Sequence, residues 1–256
     1  NFVPAATSPD ILPDTPSGVS GSSKLAKNIG GAVNFDGSGD YLSFTETTFA
    51  IGDDGDKFSI SFWAKRDTTG SSADFVMSNV NGYKRKINFN SAGNKLEIEG
   101  DENGQQAEGT VTADTNWHHY VITLNNNNGT GTAATLAIYE DGSAVSSTNT
   151  NLGVAAQDLT VNTIGSPSGG GTNGFDGLLY QIAIYNEILD ADAVSAIYNS
   201  GTPIDITTDS GNYDNSGDLT NLWNFTEGSG STAADSVGSL DATLNGDAAF
   251  STTTPS

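Results

Sequence analysis

Short runs that alternate apolar and polar residues follow one another along most of this chain, separated by turn residues. In "FSISFWAKR", Phe58, Ile60 and Phe62 share one face of a strand, and the other face carries two serines and Trp63. Because both faces bear apolar or neutral groups, this run predicts a central strand. "VNFDGSGDYLSF" alternates around a glycine-rich turn and predicts a hairpin. Strand after strand at this spacing predicts an all-β sandwich or jelly roll.

One segment has helical spacing instead. In "ILDADAVSAIYNSG", Asp190 is placed to cap a helix whose Ala193 and Ile197, with Val194 beside them, face inward. The "NSG" that follows is typical of a helix end. The sequence therefore predicts one short helix near residues 190–199.

Shifts in composition divide the chain into four stretches. Residues 1–31 are rich in Pro, Ser and Gly and have no period, which predicts an extended N-terminal arm. Residues 32–201 form the body, and residues 202–218 are predicted to be an acidic linker. Residues 219–256 hold a second strand-like stretch. Too few residues follow Phe250 for a second sandwich, so we expect this stretch to complete the sheets of the body.

The charge is strongly one-sided, since 9 Lys and Arg against 31 Asp and Glu give a formal net charge of −22. Such a surface repels phosphate backbones, so nucleic-acid binding is disfavoured. It suits the capture of divalent cations, although the solubility of a surface-exposed protein explains it as well. The chain has no cysteine, which excludes a disulfide, a thiol nucleophile and a cysteine-ligated zinc. No apolar run approaches the ~20 residues of a membrane helix, so we expect no membrane insertion.

Five phrases occur in a family-specific order: "AVNFDGSGDYLSF", "FSISFWAKRD", "NWHHYVITL", "LAIYEDGSAV" and "GFDGLLYQIAIYNEILDADAVSAIYNSG". Together they resemble the laminin-G-like domains of the concanavalin A-like lectin and glucanase superfamily, over residues 32–201. The resemblance implies a two-sheet antiparallel jelly-roll sandwich. Domains of this kind are common in extracellular adhesion modules, so the resemblance also implies a recognition role.

A second stretch, "LTNLWNFTEGSGSTAADSVGSLDATLNGDAAFS", resembles the segment that usually opens such a domain. Here it follows the body, at residues 219–250, which implies a circularly permuted fold. A body that ends in "YNSGTP", followed by a linker and an "LWNF"-like strand, looks most like marine phage virion proteins of this family. The resemblance therefore implies an extracellular or virion-surface location.

The chain departs from the family at one place. In many relatives the strand after "F-x-G" carries an acidic residue that helps to hold a structural calcium. Tyr180 and Gln181 stand in that stretch here. The resemblance therefore does not imply a calcium site at this place in the chain.

Other acidic loops keep Ca²⁺ as a candidate cofactor. Hard cations such as Ca²⁺ are bound by several oxygen ligands, often in loops that contain glycine. The Asp-Gly pair is also common in turns that bind no metal. None of these loops has the spacing of an EF-hand. The candidate ligands are Asp36 and Asp40 in "FDGSGD", Asp53, Asp54 and Asp56 in "GDDGD", and Asn173 and Asp176 in "TNGFDG".

The basic residues cluster in "GYKRKI", where Lys84, Arg85 and Lys86 are a third of all basic side chains. The cluster could grip an anionic glycan or dock against an acidic neighbour, and it could equally protect an edge strand by charge. Aromatic rings stack on the apolar faces of sugars, which makes Tyr83 and Tyr139 candidates as well. The candidate ligand-binding residues are therefore Tyr83, Lys84, Arg85 and Tyr139.

The two histidines of the chain are adjacent in "WHHY". Neighbouring residues of a strand point to opposite faces, so His118 and His119 cannot chelate one metal from one face. We therefore interpret both as structural.

Glu97 and Glu99 have the i, i+2 spacing of the paired carboxylates of jelly-roll glycoside hydrolases. The spaced third acid of that pattern is missing, and the following "GD" is typical of a turn. We therefore interpret the pair as a solvated strand face. No GxSxG, HExxH or Walker motif occurs, so we expect no enzyme activity.

Two classes of function remain. The first is a non-catalytic recognition or adhesion module on a cell or virion surface that binds a glycan. The second is a structural virion protein, such as a capsid decoration or fibre component, that contacts other subunits. Self-association through the terminal arms fits either class. A glycoside hydrolase is the least favoured hypothesis.

Overall fold

A computed structural model describes residues 31–69, 74–79, 82–90, 94–101, 105–126, 132–152, 158–167 and 174–256. The predicted N-terminal arm therefore lies outside the described residues, apart from Gly31. The described residues are mostly β-strand. In chain order the strands are β1 Ala32–Asp36, β2 Tyr41–Phe49, β3 Asp56–Arg66, β4 Asp74–Asn79, β5 Gly82–Asn90, β6 Lys95–Asp101, β7 Gln105–Thr110, β8 Trp117–Asn126, β9 Thr135–Glu140, β10 Ser143–Ala144, β11 Ser147–Thr150, β12 Leu159–Ile164, β13 Asp176–Tyr185, β14 Leu219–Trp223, β15 Thr232–Ala233, β16 Ala242–Asn245 and β17 Ala249–Ser251.

The strands form two antiparallel sheets. Sheet A has the order β10-β9-β8-β3-β13-β1-β17, and β14 pairs with the second half of β13. Sheet B has the order β11-β7-β6-β5-β4-β12-β2-β16-β15. The predicted all-β, two-sheet antiparallel jelly-roll sandwich is confirmed. The central strand predicted from "FSISFWAKR" is confirmed too, because β3 pairs with β8 on one side and β13 on the other.

Aromatic rings from both sheets meet in the core. The Phe62 ring of β3 lies 6.3 Å from the Phe89 ring of β5 and 5.6 Å from the Tyr120 ring of β8. At the other end of the core, the Trp223 ring of β14 lies 5.5 Å from the Phe44 ring of β2. The Trp223 Nε1 donates to the Leu240 carbonyl at 2.9 Å, so this buried indole is fully satisfied.

One α-helix, α1 Ala191–Tyr198, occurs among the described residues. The Asp190 carboxylate accepts a hydrogen bond from the Ala193 N–H at 2.8 Å, as the predicted cap requires. Ala193, Val194 and Ile197 are buried, and Asn199 ends the helix in the left-handed conformation with φ of 44°. The predicted short helix is confirmed. Two short 3-10 turns follow, at Asn199–Gly201 and Ser216–Asp218. None of the described helices is long and apolar enough to cross a membrane.

Residues 202–218, which we predicted to be a linker, pack on the outer face of sheet A beside α1. Ile206 and Tyr213 are buried there. The Tyr213 hydroxyl donates to the Ile206 carbonyl at 2.7 Å and lies 3.3 Å from the Tyr185 hydroxyl of β13. The Gln181 Nε2 of β13 donates to the Ile204 carbonyl at 2.8 Å. We call this outer surface of sheet A the covered face.

The strands of residues 219–256 extend both sheets. In sheet A, β14 pairs with β13 and β17 pairs with β1. In sheet B, β16 pairs with β2, with Leu244 opposite Leu42. The late strands are therefore integral to the sandwich. The division into four stretches and the circular permutation as the origin of this order stay predictions.

Candidate functional site

The first predicted calcium ligands, Asp36 and Asp40, act as hydrogen-bond acceptors for the backbone. The Asp40 carboxylate accepts from the Asp36 N–H at 3.0 Å and from the Asp247 N–H at 2.6 Å. Burial raises the pKa of Asp40. The Asp36 carboxylate accepts from the Ser38 N–H at 2.8 Å. These bonds tie the turn after β1 to the loop after β16.

The remaining calcium candidates lie in two separate parts of the structure, and neither part forms a metal site from the described residues. The Asp56 carboxylate accepts from the Asp53 N–H at 2.7 Å, which closes the turn that also holds Asp54. Asp176 lies opposite Asp36 in the β1–β13 ladder, and its carboxylate accepts from the Thr68 hydroxyl at 3.0 Å. Asn173 lies outside the described residues. Within the described part of the chain, no group of three His, Asp or Glu side chains is arranged to hold a metal. A calcium site stays a prediction.

The predicted ligand-binding residues also separate. Tyr139 is only 9% exposed and packs against the helix side of the covered face, so its ring offers little surface for stacking. Arg85 is half-buried, with a left-handed φ of 76°, in the irregular β4–β5 pairing. Tyr83 and Lys84 belong to the same strand, but their side chains lie outside the described part of the structure. Tyr139 therefore shares no surface with Arg85.

His118 is held by carboxylates. Its Nδ1 lies 2.7 Å from Asp141 Oδ2, and its Nε2 lies 2.9 Å from Asp114 Oδ1. The Glu140 carboxylate is 3.7 Å away. The hydrogen bond to Asp141 raises the pKa of His118 to about 9, so the ring is charged at neutral pH. A protonated imidazole cannot act as a metal ligand or a base, which agrees with the structural interpretation.

His119 shows the opposite behaviour on the other side of the same strand. Its Nε2 lies 2.8 Å from the Ser61 hydroxyl, and its ring stacks on Tyr198 and contacts Trp63. Burial lowers the pKa of His119 to about 3, so the ring is neutral. Ser61 and His119 have the spacing of a nucleophile and its base, but both are buried under the covered face. No substrate can reach them there.

The outer surface of sheet B carries polar side chains, and we call it the polar face. Glu97 is 5% exposed, and burial raises its pKa. The Asn88 amide donates to it at 3.4 Å. Glu99 forms an ion pair with Lys86 at 2.7 Å, and Glu108 forms one with Lys95 at 3.2 Å. With one carboxylate buried and the next one neutralised, the face does not present the two free carboxyl groups of a hydrolase.

A cleft of about 310 Å³ opens where the two sheets meet, between the end of β2 and the strands β3, β13 and β14. Its volume is at the lower end of the range for small-ligand sites. Its walls combine aromatic, hydroxyl, amide and charged groups. The lining residues are Thr47, Thr48, Phe49, Ala50, Lys57, Phe58, Ile184, Tyr185, Asn186, Thr220 and Asn221.

The aromatic wall of the cleft is Phe49, the last residue of β2. Its ring is half-buried and lies 6.0 Å from the buried Phe58 ring of β3, which supports it from behind. The neighbouring Thr48 hydroxyl lies 3.0 Å from the Thr160 hydroxyl. The cleft thus has one supported ring in its wall, while the Thr48 hydroxyl points to the opposite face of β2.

The opposite wall is fixed by β14. The Asn221 amide donates to Asp235 Oδ2 at 2.6 Å, while Asp235 Oδ1 accepts from the Leu222 N–H at 2.9 Å. These and other backbone hydrogen bonds lower the pKa of Asp235, despite its burial. A Cβ at Gly238 would lie 2.5 Å from the Asn221 nitrogen, so only glycine allows this close approach. The Thr220 hydroxyl donates to the Ile184 carbonyl at 3.1 Å and joins β14 to β13.

Sequence reasoning missed every residue of this cleft. They come from four strands that are far apart in the chain and from Ala50 and Asn186, which directly follow β2 and β13. The only local signal was the "TTF" at the end of β2, where a phenylalanine ends an otherwise polar, exposed run.

The sequence of this sandwich matches a known superfamily. Residues 36–195 match the sequence profile of the Concanavalin A-like lectin/glucanases superfamily. The chain belongs to this superfamily. The match covers more than half of its length, and residues 219–256 lie outside it. No curated protein matches the chain.

Solved structures also resemble the chain in fold. One is a "putative carbohydrate binding protein" from Bacteroides ovatus ATCC 8483, with a TM-score of 0.61 and 18% sequence identity. The match covers 89% of this chain and 61% of that structure, so the chain spans less than two thirds of its length. Another is the heptameric SAP-like pentraxin of Limulus polyphemus, with a TM-score of 0.48, 15% identity and coverages of 66% and 82%. At 18% identity the similarity to the Bacteroides structure shows a shared fold.

Proposed function

We propose that this chain is a non-catalytic binding module whose ligand is a surface glycan. The observation that carries the proposal is the cleft between β2 and β13–β14, whose lining combines the Phe49 ring with amide and hydroxyl side chains. The superfamily includes lectins, and a carbohydrate-binding role is named for the Bacteroides structure. Both support the proposal without establishing it for this chain.

The chemistry of the cleft suits a sugar. A pyranose ring has an apolar face of C–H groups, which packs on an aromatic ring, and hydroxyls at its rim, which bond to amides and hydroxyls. Phe49 supplies the ring, and Thr47 and the exposed Asn186 bring polar groups to the same lining. Because Phe58 and Asp235 fix the walls, little ordering entropy is lost on binding.

A hydrolase requires two usable carboxyl groups on one face, about 5–5.5 Å apart in a retaining enzyme. On the polar face Glu99 is paired with Lys86 and Glu97 is buried, and no Asp or Glu is among the described residues that line the cleft. The arrangement therefore favours binding over hydrolysis. The check is an assay of glycan hydrolysis, in which Glu97→Gln abolishing a measurable activity would contradict the proposal.

The binding test is a glycan array followed by calorimetry with the best ligand, in calcium and again in EDTA, because calcium stays a prediction. Phe49→Leu keeps the apolar volume but removes the ring, and it should weaken binding about two- to tenfold. Phe250→Leu is the matched control, since Phe250 is also a half-buried core-edge phenylalanine but lies in β17, away from the cleft. The proposal fails if no glycan binds, or if both variants bind as the wild type does.

The second hypothesis, a structural virion subunit, needs an apolar surface to bury against a neighbour. Among the described residues, Val237 at 41% exposure is the only large apolar side chain that is exposed. Permanent interfaces are more apolar than this surface, so the described part of the chain favours reversible binding.

We further propose that the protein acts outside the cell or on a virion. The acidic surface, with its net charge of −22, suits a soluble, exposed setting. Immunogold labelling of intact cells and virions tests the location, and labelling confined to the cell interior would contradict it.

A further inference from the structure

We infer that the cleft selects uncharged sugars over acidic ones, and that Glu187 sets this selectivity by neutralising Lys57. The inference rests on the proposed function and names its ligand class. It concerns the one basic group that lines the cleft.

Lys57 and Glu187 form a close two-point ion pair. The Lys57 ammonium lies 2.7 Å from Glu187 Oε1 and donates to Oε2 at 2.8 Å. Their side chains are 39% and 35% exposed. Lys57 lines the cleft, and Glu187 lies next to it, outside the lining. The hydrogen bond from Lys57 lowers the pKa of Glu187, which keeps the carboxylate charged at neutral pH.

The carboxylate is also fixed in place. Glu187 Oε1 accepts from the Ile188 N–H at 3.0 Å. The buried Ser59 hydroxyl of β3 donates to the Glu187 carbonyl at 2.8 Å and accepts from the Leu189 N–H at 3.0 Å. Ser59 therefore anchors the segment 187–189 to sheet A, and Glu187 cannot swing away when a ligand arrives.

The consequence for a ligand is electrostatic. A sugar carboxylate that approached Lys57 would meet the Glu187 carboxylate at nearly the same distance, so attraction and repulsion would cancel. The other lining groups are uncharged, and the net charge of −22 repels anions at long range. Sugar hydroxyls carry no such penalty, because they can donate to Glu187 and accept from Lys57.

The experiment compares galactose oligosaccharides with galacturonate oligosaccharides, by calorimetry at low salt, on the wild type and two variants. Glu187→Gln frees the Lys57 charge and should raise affinity for the acidic ligand about two- to fivefold, while affinity for the neutral one stays unchanged. The gain should disappear at 1 M salt, where the Debye length is about 3 Å. Glu99→Gln is the matched control, because Glu99 is paired with Lys86 on the polar face at the same 2.7 Å distance, and it should change neither affinity.

The outcomes separate the two proposals. A wild type that prefers the acidic ligand, or a Glu187→Gln variant with no gain for it, overturns the selectivity while leaving glycan binding intact. Absence of binding by either ligand across all variants, together with a blank glycan array, overturns the proposed function and this inference with it. Circular dichroism of Glu187→Gln confirms that the isosteric exchange leaves the fold unchanged.

Discussion

The two outer faces of this sandwich have opposite characters, although both belong to antiparallel sheets of similar size. The covered face of sheet A bears apolar side chains, and α1 and residues 202–218 bury it. The polar face of sheet B bears ion pairs such as Lys86–Glu99 and Lys95–Glu108, which are partly exposed. The strands differ accordingly, since β3 is buried on both faces while β5 and β6 alternate apolar and charged residues.

The difference indicates which of the two faces contributes more to the stability of the fold. Burial of apolar side chains stabilises a fold in proportion to area, whereas exposed ion pairs contribute little. We therefore expect the covered face to control unfolding and the polar face to tolerate substitution. Five predictions test this contrast, in order of decreasing effect.

Ile197→Ala should weaken the covered face most. Ile197 is fully buried between α1 and sheet A, so its truncation leaves a cavity and should lower the free energy of unfolding by about 2–5 kcal/mol. Urea denaturation followed by tryptophan fluorescence measures the change. A loss below 1 kcal/mol would show that α1 contributes little to the sandwich.

The next prediction uses pH, because the two adjacent histidines have opposite pKa shifts. The His119 pKa falls from 6.5 to about 3 on folding, so its neutral form contributes stability above pH 6.5 that is lost as pH falls towards 3. The slope below pH 6 should approach about 1.4 kcal/mol per pH unit. In His119→Gln, the stability measured by thermal unfolding should no longer fall with this slope between pH 6.5 and 5.

His118 provides the comparison within the same strand. Its pKa rises from 6.5 to about 9 on folding, so its contribution is complete below pH 6.5 and is lost as pH rises through 9. His118→Gln should therefore flatten the alkaline side of the stability curve. It should also weaken the acid-side slope below about pH 4, because hydrogen bonds to His118 help to lower the pKa values of Asp114 and Asp141. An unchanged alkaline side would contradict the prediction.

On the polar face, Lys86→Gln should have a small effect. Its ion pair with Glu99 is partly exposed, and its ammonium also lies 5.7 Å from the Phe75 ring, so the loss should be about 1 kcal/mol or less. The same denaturation experiment applies, with added salt as the second variable. A loss as large as that of Ile197→Ala would abolish the contrast between the faces.

The smallest effect is expected for Glu97→Gln. Burial raises the Glu97 pKa, so the charged carboxylate is disfavoured in the folded state at neutral pH. Removing the charge should leave stability unchanged or raise it slightly at pH 7. The gain should vanish as pH falls below 4.5, where the carboxyl is protonated in both states. A clear destabilisation at pH 7 would show that the Asn88 hydrogen bond and the nearby Lys86 charge outweigh the cost of burying the carboxylate.

The sequence predicted the features that depend on neighbours in the chain. Alternation in "FSISFWAKR" indicated a central strand, and the cap at Asp190 indicated α1, because both are set within a few residues. The interpretation of Glu99 as part of a strand face had the same basis. Its pairing with Lys86 depends on the β5–β6 register, which no local pattern reveals.

The cleft and the burial of Tyr139 depend on contacts between residues that are far apart in the chain. Phe49, Lys57 and Asn221 meet because β2, β3 and β14 converge, and their spacing along the chain carries no sign of this. Tyr139 alternates correctly as a strand residue, but only the position of α1 decides that its face is buried. Alternation shows which residues of a strand share a face of the sheet. It does not show which other element packs on that face.

The late pairing of β16 with β2 has a consequence for synthesis. Asn245 donates to Ser43 across 202 residues of chain, and at 5–20 residues per second that interval takes about 10–40 s. Until then one edge of β2 has no partner strand and could pair with another nascent chain. This risk is confined to Tyr41–Ser43, which β16 later covers, because the second half of β2, with Glu46 among threonines, is polar and largely exposed.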